Sequence, residues 1–201
     1  MSPISNVIPL RLPHEKRETV ADDFLITACA DGDMSALGAL FSRYKSDLYG
    51  FLSRISGTDD AELDDLVQNT FLQVRKSAAR FRGTSSVKSW IFAIGVNVTK
   101  NHIRSSVRRK AAYHVFGETA PQATDGRVID EDIARKEMLA ALSAAIGELS
   151  FKLRVVFVMC DIEGVPGVEA ARTLGIREGT LWRRLHDARK KLARSIERRA
   201  L

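Results

Sequence analysis

Apolar side chains recur at the spacing of an α-helix over most of this chain. The first long stripe follows Gly32 and ends at Gly57, with apolar positions three or four residues apart over about five turns. A second stripe begins after Asp59 or Asp60, and a third follows the polar loop 82–86. The stripes consist of Leu37, Leu40, Phe41, Tyr44, Leu48, Phe51, Leu52 and Ile55, then Leu63, Leu66, Val67, Phe71, Val74 and Ala78, then Val87, Trp90, Ile91, Ile94 and Val98. The pattern predicts three amphipathic helices.

Two segments lack this periodicity. Residues 1–21 contain three prolines and predict a mobile tail, after which Asp22 or Asp23 is expected to cap a short helix carrying Phe24, Leu25 and Ala28. Residues 112–135 accumulate glycine, proline and polar residues, which predicts a linker between domains at 22–111 and 136–201. Because no run alternates apolar and polar residues, the expected fold is all-α: two helical domains joined by a flexible linker.

The second domain has a helix-turn-helix pattern at residues 165–181. Ala170 and Ala171 precede Gly175, which can adopt the left-handed conformation that the corner needs. The next helix is expected to bury Leu181, Leu185, Ala188 and Leu192. Its opposite side carries Gly179, Arg183, His186, Asp187 and Lys190, and this side is flanked by Thr180, Trp182 and Arg184. This pattern favours DNA binding, although an ordinary helical hairpin with a basic outer face remains the alternative.

Arg183 is expected to contact a base, because recognition helices place their N-terminal residues against base edges and Arg commonly reads guanine. Further along the same helix, cations are expected to hold phosphates. These are Arg189, Lys190, Lys191 and Arg194.

The charges are unevenly distributed. Residues 70–117 contain ten Lys or Arg and no Asp or Glu, and residues 165–201 contain ten Lys or Arg and four Asp or Glu. Residues 22–69 contain ten Asp or Glu and only three Lys or Arg. Two basic blocks separated from acidic ones indicate two nucleic-acid surfaces and another surface for a different partner. Solvated helical faces are the alternative interpretation.

The first basic block combines a polar loop, an aromatic side chain, amides and cations at i, i+4 and i+8. Such a set can hold unstacked bases as well as phosphates. The spacing of Trp90 with Ile94 favours a core position for the indole ring, whereas Asn97 fits an ordinary polar position and a functional one equally well. The candidate residues are Arg82, Ser85, Ser86, Lys88, Asn97, Lys100, Asn101, Arg104 and Arg108.

Several classes of protein are disfavoured. No apolar run is long enough to span a bilayer, and three residues, Pro9, Arg11 and Pro13, interrupt any signal-like N-terminus. Cys29 and Cys160 form no CxxC or Cys/His pattern, so neither a metal nor a disulfide framework is expected. No phosphate loop, nucleophile elbow or metal-ligand spacing indicates an enzyme. We expect a cytoplasmic, non-enzymatic protein without a cofactor.

Three motifs resemble those of extracytoplasmic-function (ECF) sigma factors. The segment 81–97 resembles their conserved region two, and the preceding segment 64–71 resembles their polymerase-binding helix. The pairs Glu148-Leu149, Glu163-Gly164, Arg184-Leu185 and Ala188-Arg189, with the run 174–181, resemble their region four. The resemblance covers residues 24 to 196.

The resemblance implies a promoter-specificity subunit of bacterial RNA polymerase. The first domain would bind core polymerase and capture melted DNA of the −10 element, the second would read the −35 element, and an anti-sigma factor would control both. It implies polymerase contacts at Asp64, Asp65, Leu66, Gln68, Asn69 and Phe71, −10 contacts at the candidates of the first basic block, and −35 contacts at Arg177, Thr180, Trp182, Arg183, Arg184, His186, Asp187 and Lys190.

This chain departs from the pattern of the family that it resembles at four positions. Trp182 and Asp187 stand where many relatives carry small, polar or basic residues, so an unusual −35 preference is expected. Asn69 replaces a frequent glutamate, which should weaken the polymerase contact modestly. Gly95 lies within a helix, where it costs about 1 kcal/mol relative to alanine, so close packing or local flexibility is expected there.

Two other functions remain as alternatives. A sigma-like mimic would sequester an anti-sigma protein without using promoters, and it would need neither basic surface. A helix-turn-helix repressor with an all-α sensor would need a dimer seam and an apolar cavity, and it would leave the carboxylate-free block unexplained.

Overall fold

The computed structural model describes residues 15–113 and 133–199. The first range holds α1 (Glu15–Ala30), α2 (Met34–Ser56), α3 (Asp60–Ser77), a 3-10 turn (Ala78–Arg80) and α4 (Val87–Tyr113). The second holds α5 (Ile133–Gly147), α6 (Phe151–Phe157) with a π-helical turn after it (Val158–Ile162), α7 (Gly167–Thr173) and α8 (Glu178–Arg199). Neither range contains a strand, so the prediction of an all-α fold is confirmed.

The helix boundaries in the first half follow from capping. The Asp33 carboxylate accepts hydrogen bonds from the Ser35 amide at 2.7 Å and from the Ala36 amide at 3.4 Å, and Gly57 ends α2 with a φ of 67°. Asp59 caps α3 by accepting from the Glu62 amide at 2.8 Å. These ends agree with the breaks in the apolar pattern.

The predicted cap at Asp22 or Asp23 is wrong, because α1 begins at Glu15 and both residues lie inside it. The Asp22 side chain is buried and accepts hydrogen bonds from Arg43 and from the Tyr44 hydroxyl on α2. A long-range partner therefore replaces the local role that its position suggested. Of the predicted tail, residues 1–14 lie outside the described residues.

The apolar stripes of α1 to α4 meet in one core. Phe51 stacks on Phe92 with ring centroids 4.3 Å apart, and Phe41 contacts Phe71 edge-on at 4.9 Å. Close packing accounts for the glycine at position 95. A Cβ at this position would lie 3.0 Å from Leu52 and 3.1 Å from Leu48, and both leucines are fully buried. The expectation of close packing at Gly95 is confirmed.

In the second half, α6, α7 and α8 pack around a smaller core. Gly175 turns the corner between α7 and α8 with a φ of 65°, and the Ile176 amide donates to the Ala171 carbonyl at 2.9 Å. The predicted inward positions of α8 are all buried: Leu181, Leu185, Ala188 and Leu192. The helix-turn-helix is therefore present as the sequence indicated.

The two halves touch each other. Helix α2 packs against α5 and α6, α4 packs against α7, and the buried side chains form one continuous cluster. Arg154 of α6 crosses this boundary by donating to the Ile55 carbonyl at 3.2 Å, and burial lowers its pKa. Within the predicted linker 112–135, α4 continues to Tyr113 and α5 begins at Ile133, and the residues between lie outside the described ranges.

Candidate functional site

The polar loop before α4 contains a glycine turn and a helix cap. Gly83 has a φ of 64°, and Ser86 caps α4, because its carbonyl accepts from the Trp90 amide at 3.1 Å and its hydroxyl accepts from the Ser89 amide at 3.3 Å. Arg82 and Ser86 are exposed, whereas Ser85 is half-buried. The first amides of α4 consequently form a positively polarised end.

Lys88 lies one turn into α4 and is engaged on both sides. Its Nζ lies 2.9 Å from an Asp47 oxygen and 3.3 Å from a Glu163 oxygen, and 5.3 Å from the centre of the Phe92 ring. Burial lowers the pKa of Lys88, but the hydrogen bonds and charges of Asp47 and Glu163 outweigh it, so the net pKa is raised. Lys88 is therefore a charged, partly covered cation.

The basic stripe on α4 is fully presented to solvent. Its cations make no ion pair within the ranges that the structure describes, so their charge is available to a polyanion. The exposed members are Asn97, Lys100, Asn101, Arg104 and Arg108. Trp90 is half-buried against Phe81, with ring centroids 5.1 Å apart, which favours its role as part of the core.

A cavity of about 560 Å³ adjoins the loop. Its walls combine acidic and basic side chains of α1 and α2 with the start of α4, so it can accept polar groups of either sign. The lining residues are Asp22, Asp23, Arg43, Tyr44, Asp47, Gly83, Ser85, Ser86, Val87 and Lys88.

Helix α8 presents the second basic surface. Arg177, Arg183, His186, Asp187 and Lys190 are exposed, while Thr180 and Arg184 are half-buried. The Trp182 ring is 49% exposed and covers Gly167, where a Cβ would come within 2.5 Å of the ring.

Arg189 is already engaged within the chain. It donates to both oxygens of Asp161, at 2.8 Å and 2.7 Å, and these hydrogen bonds raise its pKa. Arg189, one of the cations expected to hold phosphates, is therefore already paired with a carboxylate.

The candidates on α3 divide into two groups. Asp64, Asp65, Gln68 and Asn69 are exposed and form a polar face that a protein partner can reach. Leu66 and Phe71 are only 1% and 4% exposed, so they hold α3 against the core and offer little side-chain surface to a partner.

An exposed apolar patch beside that face was not anticipated from the sequence. Met34 is 56% exposed and Leu72 is 51% exposed, and both line a groove of about 350 Å³ with Leu37, Phe41 and Phe71. Leu72 is an apolar residue outside the apolar stripe of α3, and this departure from the pattern is the sequence feature that could have indicated the patch. Large exposed apolar side chains next to polar ones are typical of protein-binding surfaces.

The sequence also gave no indication of contacts between the loop and the second half. Glu169 of α7 accepts hydrogen bonds from the Ser86 amide and hydroxyl, each at 2.8 Å, and from the Ser89 hydroxyl. Burial raises the pKa of Glu169, but these bonds and the Arg172 charge outweigh it, and the net pKa is lowered. The residues involved lie more than 75 positions apart, so no local pattern could reveal the pairing.

The described part of the chain contains neither a metal-ligand cluster nor a membrane-spanning helix. It holds no group of three His, Cys, Asp or Glu residues arranged to bind a metal ion. None of its helices combines the length and apolar character that crossing a bilayer requires.

Family models match the chain in two places. Sigma-70 region 2 matches residues 40–109, and sigma-70 region 4 matches residues 139–192. The first match contains the loop and most of the α4 stripe, and the second contains the helix-turn-helix and most of α8. The two basic surfaces therefore fall within two distinct matched regions.

Curated relatives match nearly the whole chain. The ECF RNA polymerase sigma factor SigM of Mycobacterium tuberculosis (strain H37Rv) is 31% identical over 180 residues, which cover 90% of this chain and 87% of the relative. The ECF RNA polymerase sigma-E factor of Haemophilus influenzae is 27% identical over 186 residues, covering 90% and 97%. The likeness thus extends across both halves and the segment between them.

Solved structures share the fold. CnrH, solved in complex with the cytosolic domain of CnrY, matches with a TM-score of 0.62 and 25% identity, covering 88% of this chain and 97% of CnrH. The sigma factor RpoE of Bartonella quintana, solved with the anti-sigma factor NepR, matches with a TM-score of 0.64 and 20% identity, covering 80% and 96%. The second likeness concerns the fold alone.

Proposed function

Because the chain belongs to the ECF family of RNA polymerase sigma factors, we propose that it directs transcription initiation through three separate contacts. Core RNA polymerase binds the exposed polar face of α3, melted −10 DNA binds the loop and the α4 stripe, and duplex −35 DNA binds the exposed face of α8. The chain contributes binding only, and the polymerase supplies the bond chemistry. We expect it to act in the cytoplasm, where polymerase and promoter are found.

The observation that carries this proposal is the pair of basic surfaces, one on each matched region. Lys100, Arg104 and Arg108 follow one face of α4, and Arg183 and Lys190 follow the exposed face of α8. Cations spaced along a helix neutralise successive phosphates and release counterions, so binding through them weakens steeply as salt is added. The acidic and apolar surface of α2 and α3 is unsuited to DNA and suited to a protein.

The −10 surface is proposed to act by stacking and anion binding. Arg82 and Ser85 present polar groups from the loop, Asn97 and Asn101 supply amides that can bond base edges, and the cations hold the backbone. Ser86 and Lys88 lie where the strand would enter. The adjoining cavity is large enough for a flipped base.

The −35 surface is proposed to read the major groove. Arg183 is exposed near the start of α8, so its guanidinium can reach a guanine edge, while Arg177, His186 and Lys190 lie along the same side. Asp187 repels phosphate but can accept from a cytosine amino group. Thr180, Trp182 and Arg184 flank this face, and the Trp182 ring limits how closely DNA approaches α7.

Run-off transcription tests the proposal. A pool of bacterial promoters is transcribed by core RNA polymerase with and without this protein. Starts that occur only with the protein, and that share two spaced upstream elements, are expected. Binding to core polymerase with no starts would indicate a promoter outside the pool, and a larger genomic pool then decides. No binding to core polymerase would overturn the proposal in favour of a mimic or a repressor.

Charge reversal tests the polymerase contact separately. Asp65→Lys on α3 should weaken binding to core polymerase about tenfold, because it places a cation within the proposed interface. Asp31→Lys is the matched control, since Asp31 is an equally exposed aspartate in the turn after α1. Equal losses in both variants would assign the effect to net charge rather than to α3.

An anti-sigma factor is proposed as the regulator. The structural likeness to CnrH in its complex with the cytosolic domain of CnrY, together with the groove beside Met34 and Leu72, supports a protein that covers the first half. Co-purified proteins and those encoded beside this one should include an inhibitor of the transcription assay. Failure of all of them to inhibit would count against regulation by such a protein.

A further inference from the structure

The start of α4 is covered by the other half of the chain. Ser86 and Ser89 donate to one carboxylate oxygen of Glu169, and the Arg172 guanidinium donates to the Thr84 carbonyl at 2.6 Å. Both Glu169 and Arg172 belong to α7, the first helix of the helix-turn-helix. A single short helix therefore spans the loop that the proposed function assigns to −10 DNA.

A second carboxylate adds to this contact. Glu163 lies between Arg54, at 3.3 Å, and Lys88, at 3.3 Å, and its side chain is only 11% exposed. Lys88 is one of the cations assigned to DNA, and here it is shared between Asp47 and Glu163. The contact between the halves thus brings acidic groups of the second half onto basic groups of the first.

The chemistry of these contacts matches that of a bound phosphate. A carboxylate that accepts one backbone amide and two hydroxyls at the start of a helix occupies the position that a phosphate oxygen takes at such sites. The Ser86 amide has one hydrogen to donate, so Glu169 and a DNA phosphate cannot both accept it. Strand binding at this point requires α7 to withdraw.

We propose that the chain is self-inhibited, with Glu169 of α7 occupying the start of α4 as an internal competitor for melted promoter DNA. This inference rests on the proposed function, because it takes the loop as part of the −10 surface. In the closed state α7 covers the loop, and in the open state the loop is free to bind DNA. If core polymerase binds the two halves at separate places, its binding favours the open state.

Two measurements on the full-length chain test the proposal. Hydrogen exchange at the Ser86 amide reports whether Glu169 covers it, and fluorescence anisotropy reports binding of a fluorescein-labelled single strand of about twenty nucleotides of mixed sequence. The variants are Glu169→Ala and, as the matched control, Glu197→Ala. Glu197 is an exposed glutamate near the end of α8, so its removal changes net charge equally without touching the loop.

Glu169→Ala should raise Ser86 exchange about tenfold and tighten single-strand binding severalfold, whereas Glu197→Ala should change neither substantially. Glu163→Gln, which loosens Lys88 and Arg54, serves as an independent variant should Glu169→Ala fail to fold, and it should tighten DNA binding in the same direction. Thermal unfolding of each variant establishes that it is folded.

Three results would overturn the proposal. They are unchanged Ser86 exchange in Glu169→Ala, faster exchange without tighter DNA binding, and equal tightening in Glu197→Ala, which would reduce the effect to net charge. Neither measurement involves polymerase, so the two proposals fail separately. A chain that shows the Glu169 effects but does not bind core polymerase would disprove the proposed function and leave competition for single strands in place.

Discussion

The two basic surfaces of this protein differ in what their cations face. The start of α4 lies against α7, with Ser86 and Lys88 bonded to glutamates of the second half, whereas Arg183 and Lys190 on α8 face solvent. Both surfaces carry positive charge in the sequence. Net charge therefore identifies a candidate nucleic-acid surface, and the tertiary contacts decide which part of it is accessible.

The core beneath the covered start of α4 is where a substitution should have the largest effect on the free energy of unfolding. Gly95→Val should destabilise the protein by about 2–3 kcal/mol, because its side chain would press into Leu48 and Leu52, which are fully buried. Urea unfolding followed by circular dichroism measures the loss. Gly38→Ala is the control, since nothing lies within 4 Å of a Cβ there, and it should stabilise α2 by about 0.5–1 kcal/mol. A neutral Gly95→Val would show that the core beside α4 is loosely packed.

Substitutions on the exposed face of α8 should change promoter recognition rather than the stability of the protein. Arg183→Ala should reduce transcription from a −35-dependent promoter about tenfold, or about 1.4 kcal/mol, because it removes one base contact. Binding to core polymerase should stay unchanged. The matching template carries a scrambled −35 element, on which the variant and the wild type should be equally weak. If the variant loses another tenfold on that template, Arg183 does not read sequence.

The covered surface should depend on pH in a predictable direction. Because the pKa of Glu169 is lowered, its contribution of about 1 kcal/mol is fully present above its usual pKa and is lost as the pH falls through its lowered value. The difference in urea stability between the wild type and Glu169→Gln should therefore be constant near neutral pH and shrink below pH 4.5. A difference that grows with acid would contradict an ionised Glu169 in the contact.

The smallest expected effect concerns the thiol of Cys160, which lies next to Asp161, the partner of Arg189 on α8. Burial and the Asp161 charge raise the pKa of Cys160 to about 11, against a smaller opposite effect of Arg189. Iodoacetamide should therefore label Cys160 slowly at neutral pH, and the rate should climb as the pH approaches 11. The urea-unfolded chain gives the reference rate. Equally fast labelling of the folded chain would show that the contact of α8 with Asp161 opens readily.

The sequence was most informative where the cause of structure is local. The apolar stripes of α2, α3 and α4, the cap at Asp59 and the corner at Gly175 follow from helical periodicity and from conformations set by one residue. Gly95 was interpretable because a glycine inside a helix has a cost that packing must offset. These features need only the residues within a turn or two.

It was least informative where the partner lies far along the chain. Asp22 has the residue type of a helix cap, but Arg43 and Tyr44 engage it from a neighbouring helix. Glu169 fits an exposed position of a short helix, yet its partners lie about 80 residues earlier. Leu66 and Phe71 belong to a binding motif and to a core stripe, and only their burial separates the two roles.

Helix α4 also connects two distant points of the molecule. Its 27 residues form one uninterrupted rod of about 40 Å, with the loop at Val87 at one end and Tyr113, where the segment toward α5 begins, at the other. Tilting such a rod by about 10° about its first residue moves its last residue by about 7 Å. A rotation of α4 by a few degrees at its first turn would therefore displace Tyr113 by several ångströms, so the two ends of this helix are coupled in position.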